Sequence, residues 1–285
     1  MNQRTWTIRD VLDWATKDFG ARGIDSPRLD AELLVARALG VDRIELYLDL
    51  GRPLLEEERG AIRELLIRRR EREPVAYIVG HRDFYGRRFS VTPDVLIPRP
   101  DTETLVEHAL RLIPADVPLR VADVGTGSGA IAISIAAERP RVQVVATDVS
   151  QEALLVASSN ALAMGVSDRI QFEEANLFGH EGSFDLVLSN PPYVRAADIP
   201  HLQEEVRDYE PSTALSGGED GLDVVRALIS RAAEVTVTGA QMLVEIGAGQ
   251  ARAVEAIANE SATWQYNSTY LDLNRIERVA HLRRT

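Results

Sequence analysis

Asn190-Pro191-Pro192-Tyr193 sets a carboxamide, two conformationally fixed residues and a phenol ring in one short stretch. A carboxamide oxygen and a backbone carbonyl are hydrogen-bond acceptors and poor acids or bases. They suit the gripping of a planar NH₂ group rather than proton transfer. By itself this grip fits an adenine amino group and a glutamine amide equally.

A second group lies upstream. Val121-Ala122-Asp123-Val124-Gly125-Thr126-Gly127-Ser128-Gly129-Ala130 reads as a strand, a glycine-rich turn and a helix start. Glycine lets a backbone turn with positive φ and approach a ligand closely, and a helix N-terminus offers unpaired N–H groups. The next strand, Val144–Thr147, ends on Asp148, whose carboxylate can accept both hydroxyls of a ribose. The pair predicts a nucleoside-type cofactor. Gly125, Gly127 and Ala130 with Asp148 also satisfy the relaxed dinucleotide fingerprint. No Gly-Lys-Ser/Thr closes the loop, which argues against a phosphate-loop nucleotide enzyme, and Ser128 lacks the flanking glycines of a nucleophile elbow.

These groups need strands to carry them. Phe184–Ser189 is an apolar run of strand length, stopped by two prolines that cannot join a ladder. The Asn190 loop therefore stands at a strand's carboxyl end, where open α/β sheets bind ligands. Strands are expected at 119–124, 142–147, 169–173, 184–189 and 240–246. Helices are expected at 129–138, 151–163, 221–235 and 249–259. This alternation predicts a parallel sheet covered on both faces. The segments 264–271 and 276–283 have no helix between them and predict an edge hairpin. Residues 1–74 read as short helices in a small bundle, with Ser26 as an N-cap before Pro27 and a stop at Gly40. Residues 75–98 read as a β-hairpin linker, and a further helix starts at an N-cap on Asp101 or Thr102.

Composition narrows the partners. The chain has 285 residues, 45% of them hydrophobic and 27% charged, as in an ordinary globular protein. It has no cysteine, so disulfides and thiolate metal sites are excluded, in keeping with a reducing, cytoplasmic setting. The segment Met1–Trp6 lacks the apolar core of a signal peptide, and no run is long enough to span a membrane. A net charge of −12 disfavours broad contact with a phosphate backbone. The histidines at 81, 108, 180, 201 and 281 show no metal-ligand spacing and read as surface or loop residues. Arg68–Arg72 reads as a solvated helix face or as a docking surface for an acidic partner. The acids Glu204, Glu205, Asp208 and Glu210 read as solvation or as a match for a basic partner. Glu245 reads as a sheet-end residue near the cofactor.

The glycine loop, Asp148 and Asn190-Pro-Pro-Tyr193, in that order, resemble class I S-adenosylmethionine-dependent methyltransferases acting on planar nitrogens. Leu96-Ile97-Pro98-Arg99-Pro100-Asp101-Thr102-Glu103 is similar to a motif of the release factor glutamine methyltransferases. So are Pro74–Gly80 with Phe84-Tyr85-Gly86, Glu210–Leu215 with Gly217–Leu222, and Asp30–Leu34. The resemblance covers nearly the whole chain. It implies an α/β fold: a Rossmann-like, seven-stranded sheet with an antiparallel last strand, plus an N-terminal helical bundle that docks substrate. The catalytic domain is then 99–285.

The resemblance also implies roles. Gly125, Thr126, Gly127, Ser128, Gly129, Asp148, Asn176, Leu177 and Asn190 would contact S-adenosylmethionine. Leu177-Phe178 stands where relatives often carry an aromatic pair. The substrate would be the glutamine of the Gly-Gly-Gln motif in class-1 peptide chain release factors, methylated at N5 by a monomeric enzyme. Asn190 Oδ1 and the Pro191 carbonyl would accept the two amide hydrogens, Pro192 would stiffen the loop, and Tyr193 would pack against the flat amide. Arg99-Pro100 would close beside the pocket. Adenine N6 methylation of DNA or RNA is the competing reading; it usually requires a basic target-recognition surface, which this acidic chain does not suggest.

Overall fold

The computed structural model describes residues 5–179 and 182–285. His180 and the first four residues, on which two of the expectations above bear, lie outside them. The described chain divides into two compact units, residues up to His81 with Glu204–Tyr209, and the remainder.

The smaller unit is helical. α1 (Ile8–Ala21) starts at a capping box in which Thr7 and Asp10 exchange hydrogen bonds. α2 (Pro27–Leu39) has proline in its first turn and stops at Gly40, in the left-handed region with φ 67°; Ser26 makes no side-chain cap bond. α3 (Glu56–Arg70) carries acids in its first turn and arginines in its last, matching the helix dipole. Leu12, Phe19, Leu34, Leu46, Ile62 and Leu66 fill the core. The expectation of a hairpin from residue 75 needs correction, because Val75–Val79 is a short helix, α4. Apolar runs of five residues do not reveal their period. The hairpin itself follows, as β1 (His81–Phe84) and β2 (Arg87–Ser90).

In the larger unit, α5 (Glu103–Leu112) precedes an alternation of β3 (Arg120–Val124), α6 (Ala130–Glu138), β4 (Gln143–Asp148), α7 (Gln151–Ala163), β5 (Ile170–Glu174) and β6 (Phe184–Ser189). The segment α8 (Glu204–Tyr209) packs with the helical unit. Then come α9 (Asp223–Val235), β7 (Thr236–Glu245), α10 (Ala251–Glu260), β8 (Trp264–Leu271) and β9 (Glu277–Arg284). Among the described residues, seven strands form one sheet in the order β5-β4-β3-β6-β7-β9-β8. β9 runs antiparallel to both neighbours and lies between them. Successive strand residues point to opposite faces. Val121, Val144 and Leu186 meet α5 and α6, while Ala122, Val145 and Val187 meet α9 and α10. Burial on both faces explains why these strands read as continuous apolar runs.

Candidate active site

The carboxyl ends of β3, β4 and β6 lie side by side, because Val124 pairs with Thr147 on one flank and Ser189 on the other. Strand order reverses at β3, which creates a crevice for ligands. A cavity of about 210 Å³ opens there. Gly125, Thr126, Gly127, Ser128, Asp148, Asn176, Leu177, Asn190, Pro191 and Pro192 line it, with Arg99 and Thr102. Gly129 and Tyr193 are not lining residues. Gly129 is the N-cap of α6, with φ 82°.

The loop after β3 turns through Gly125 at φ 74° and Gly127 at φ 55°, a backbone that other residues adopt with strain. Its amides are engaged by the protein. Gly125 and Thr126 N–H both donate to the Thr147 carbonyl at 2.9 Å, Gly127 N–H donates to Asp148 Oδ2 at 2.9 Å, and Gly129 N–H donates to the Thr126 carbonyl at 2.9 Å. A phosphate cradle would present such donors to its ligand, so these four amides argue against a phosphate seated on the turn itself. Asp148 Oδ1 accepts from Ser150 N–H at 3.0 Å, which orients the carboxylate at the cavity wall. Below it, Asp123 is fully buried and accepts from Thr126 Oγ1 at 2.7 Å and Ala132 N–H at 3.1 Å. Burial raises its pKa to about 6, against those hydrogen bonds and with the nearby charge of Asp148. A crevice with Asp148 at its wall and Asp123 beneath it suits S-adenosylmethionine, a nucleoside bearing a sulfonium and an ammonium group.

Asn176 and Leu177 are held by Ala175 N–H on the Asp148 carbonyl at 2.9 Å and by Thr147 Oγ1 donating to the Leu177 carbonyl at 2.5 Å. Leu177 has φ 73°, so its place at the wall is imposed by these bonds. Phe178 instead packs into the core against Phe184.

The Asn190 loop is clamped on both sides. Ser189 Oγ donates to the Val124 carbonyl at 2.7 Å. Val194 N–H donates to the Leu215 carbonyl at 3.0 Å, and Gly217 N–H donates to the Val194 carbonyl at 2.9 Å. Gln250 Nε2 donates to the Tyr193 carbonyl at 3.1 Å. A Cβ on Gly217 would stand 2.7 Å from the Pro192 oxygen and 2.6 Å from the Gly221 oxygen. The glycine-rich segment after the loop is thus the surface against which the loop backbone is pressed.

A buried polar chain lies behind Asn190. Asn190 Nδ2 donates to Thr102 Oγ1 at 3.2 Å. Tyr193 Oη donates to Glu245 Oε1 at 3.3 Å. Glu245 is 1% exposed, and burial pushes its pKa up to about 7, opposed by the Thr102 hydroxyl, Arg278 and Tyr193. Burial and the Glu245 charge push the Tyr193 phenol upward too. Arg278 pairs with Asp101 and Asp272, each at 3.2 Å. Sequence reasoning missed Thr102 as a site residue and gave Glu245 no partner. The available signal was a carboxylate ending an apolar strand.

Arg99 Nη2 lies 2.5 Å from Glu210 Oε1, whose carboxyl pKa is raised by burial. Glu205 pairs with Arg69 and Arg72, Arg68 with Glu73, and Arg70 with Asp18. The solvated reading is thus corrected for Arg69, Glu205 and Glu210, which are held in internal pairs, while Glu204 and Asp208 are exposed as expected. The surface reading of His281 is corrected as well. It is buried in β9, between Tyr270 Oη at 2.9 Å and Gln241 Oε1 at 2.7 Å. Among the described residues no group of His, Asp or Glu could hold a metal ion, and no helix is long and apolar enough to cross a membrane.

Residues 10–80 match the family model described as PrmC N-terminal domain, and residues 101–206 match that of the methyltransferase small domain. A release factor glutamine methyltransferase of Geobacter sulfurreducens is 46% identical over 251 residues, 87% of each chain. One of Rhodopirellula baltica is 38% identical over 290 residues, covering 99% of this chain and 98% of that one. Among solved structures, a methyltransferase from Pyrococcus furiosus matches with a TM-score of 0.52 at 16% identity, covering 70% of this chain and 90% of that one, a likeness of fold.

Proposed function

The chain belongs to the release factor glutamine methyltransferase family, and from that premise we propose that it methylates N5 of the glutamine in the Gly-Gly-Gln motif of class-1 release factors. The observation that carries this reading is the Asn190 carboxamide. Its Nδ2 is committed to Thr102, which leaves Oδ1 as an acceptor on a loop lining the cavity.

Asp148 and the loop Gly125–Gly129 would hold S-adenosylmethionine, with Asn176 and Leu177 beside the base and Asn190 near the reacting end. When bound, the cofactor supplies a methyl group on sulfur that is open to nucleophilic attack. The residues of the chain do the positioning. Asn190 Oδ1 accepts one hydrogen of the substrate amide and the Pro191 carbonyl accepts the other. Two acceptors hold the NH₂ group in plane and stabilise the positive charge that develops on its nitrogen. Pro192 keeps the loop stiff, and the clamp of Val194, Gly217 and Gln250 keeps it in register. Tyr193, anchored by its hydroxyl on Glu245, fixes the end of the loop. No strong general base is required, because the attacking nitrogen would become strongly acidic as it takes the methyl group from sulfur, which would leave as a neutral thioether, and its proton would pass through the accepting carbonyl to water. The helical unit serves to dock the release factor, and the enzyme works as a monomer without nucleic acid.

Purified protein, labelled cofactor and either release factor or nucleic acid decide the matter. Label on the glutamine of the release factor, located by peptide mapping, is expected. Label on nucleic acid with none on the release factor overturns the reading. Asn190→Ala should abolish turnover and leave cofactor binding largely intact; near-normal methylation by that variant would refute the grip.

A further inference from the structure

Gln250 stands at the N-cap of α10, a position that favours Ser, Thr, Asp and Asn because their side chains bond the first amides of the helix. It makes no such bond, and its side chain, 7% exposed, is turned elsewhere. Oε1 accepts from Gly247 N–H at 2.8 Å. Nε2 donates to the Tyr193 carbonyl at 3.1 Å and to the Gly221 carbonyl at 3.4 Å. An N–H can only donate and a carbonyl can only accept, so one orientation of the carboxamide satisfies all three partners. The seat is tight. A Cβ on Gly247 would stand 3.0 Å from Gln250 Oε1, and one on Gly221 would stand 2.8 Å from Nε2 and 2.4 Å from the Tyr193 oxygen. One buried amide thus joins the loop after β6, the glycine-rich segment and the loop after β7.

We propose that Gln250 is a positioning residue for methyl transfer, which pins the Tyr193 carbonyl and thereby sets where Asn190 Oδ1 and the Pro191 carbonyl stand. Ser189 Oγ holds the front of the loop on the Val124 carbonyl at 2.7 Å, and Gln250 holds its rear. Between these two points lie Pro191 and Pro192, whose rings fix φ and leave few soft torsions to absorb a shift. A displacement at Tyr193 is therefore passed on to the acceptors. A misplacement of about 1 Å in a reacting geometry can cost about 100-fold in rate. Gln250 does not line the cavity, so it acts without touching substrate or cofactor. Its three partners are backbone atoms, none of which titrates.

The inference rests on the amide-methylation reading. Wild type that fails to methylate release factor sinks that reading, while hydrogen exchange still tests the pin without substrate. Gln250→Met keeps the length and removes all three bonds. In this variant the Val194 and Gly217 amides, which close the same loop, should exchange about tenfold faster or more, with the amides of β3 unchanged. With an active wild type, Gln250→Met should lower kcat about 30-fold or more at every pH, with cofactor Kd and release factor KM changed less than about 3-fold. Gln250→Glu is the sharper test. Its protonated carboxyl has one O–H for the Tyr193 carbonyl and one oxygen for Gly247 N–H, whereas its carboxylate has no proton to give. Burial favours the protonated form. The ratio of its kcat to that of wild type should therefore rise about tenfold or more from about pH 8.5 to about pH 6, with circular dichroism confirming the fold at both ends. The ratio cancels the titration of groups that both proteins share, and a merely structural role gives no such recovery. The proposal is overturned if Gln250→Met keeps kcat within about 3-fold of wild type, if exchange at Val194 and Gly217 is unchanged, or if the Gln250→Glu ratio is flat with pH. Should Gln250→Glu fail to fold, Gln250→Met decides alone.

Discussion

Arg69 Nη2 lies 2.9 Å from Glu205 Oε1, and Arg69 Nε lies 2.7 Å from Asp30 Oδ2, so one buried guanidinium joins three segments of the helical unit. The side chain of Arg69 is 6% exposed and that of Asp30 7%. Burial raises the Asp30 pKa, and Arg69 opposes that rise. Removing one member of a buried pair leaves the others uncompensated. Arg69→Ala should therefore destabilise the unit by about 3–5 kcal/mol in denaturant unfolding, and should open Glu204–Tyr209 to proteolysis. A loss below about 1 kcal/mol would mean the pair contributes no more than an exposed one.

Gly217→Ala tests the clamp on the Asn190 loop. The added methyl meets two backbone oxygens, neither of which can rotate away. The expected result is a kcat lower by about tenfold or more, with about 1–3 kcal/mol of destabilisation. Wild-type kcat in this variant would show that the loop has room to spare.

Arg99 and Glu210 bring two cavity-lining segments together, 94–102 and 211–214. Glu210→Gln removes the buried charge that holds Arg99 at the wall. Calorimetry should read cofactor or release factor affinity weakened by about tenfold, with the fold retained. Unchanged affinity for both would remove Arg99 from the binding surface.

Two buried acids make stability depend on pH in an unusual direction. The Glu245 pKa rises from 4.5 to about 7 on folding, and that of Asp123 from 3.8 to about 6. The native state therefore holds more protons than the unfolded chain between those values. Their contribution is fully present below the unfolded pKa and is lost as pH rises through the folded one. Relative to wild type, Glu245→Gln should gain stability as pH rises from 4.5 toward 7, by up to about 1.4 kcal/mol per pH unit. A pH-independent difference in unfolding free energy would show that Glu245 keeps its unfolded pKa on folding.

Much of this fold was legible because its strands are buried on both faces and its helices keep their period. The expected strands at 184–189 and 264–271 and the expected helix at 151–163 have the bounds of β6, β8 and α7. Val75–Val79 was not legible, because five apolar residues carry no period. The β7 strand begins at Thr236 rather than near 240, since α9 passes into it without a turn signal. At the site, the residues near the ligand stood out by motif, while those behind them did not. Thr102 meets Asn190 across 88 positions and Arg69 meets Glu205 across 136, and no local pattern encodes such a pairing. For the same reason neither the arginine run nor the acidic run revealed that Arg69 and Glu205 pair internally.

The place of β9 has a consequence for the order in which the protein can be assembled. A final strand at a sheet margin could arrive late and leave a working enzyme behind it. Here Glu277–Arg284 must enter between β7 and β8, and it brings Arg278 to the neighbourhood of Glu245. Until that segment is available, β8 has no neighbour in the sheet, the inner margin of β7 is open, and the acid behind Asn190 lacks its cation. A chain lacking residues 277–284 would therefore have an open strand margin on β7, no partner for β8 and no Arg278 near Glu245, rather than being merely shortened.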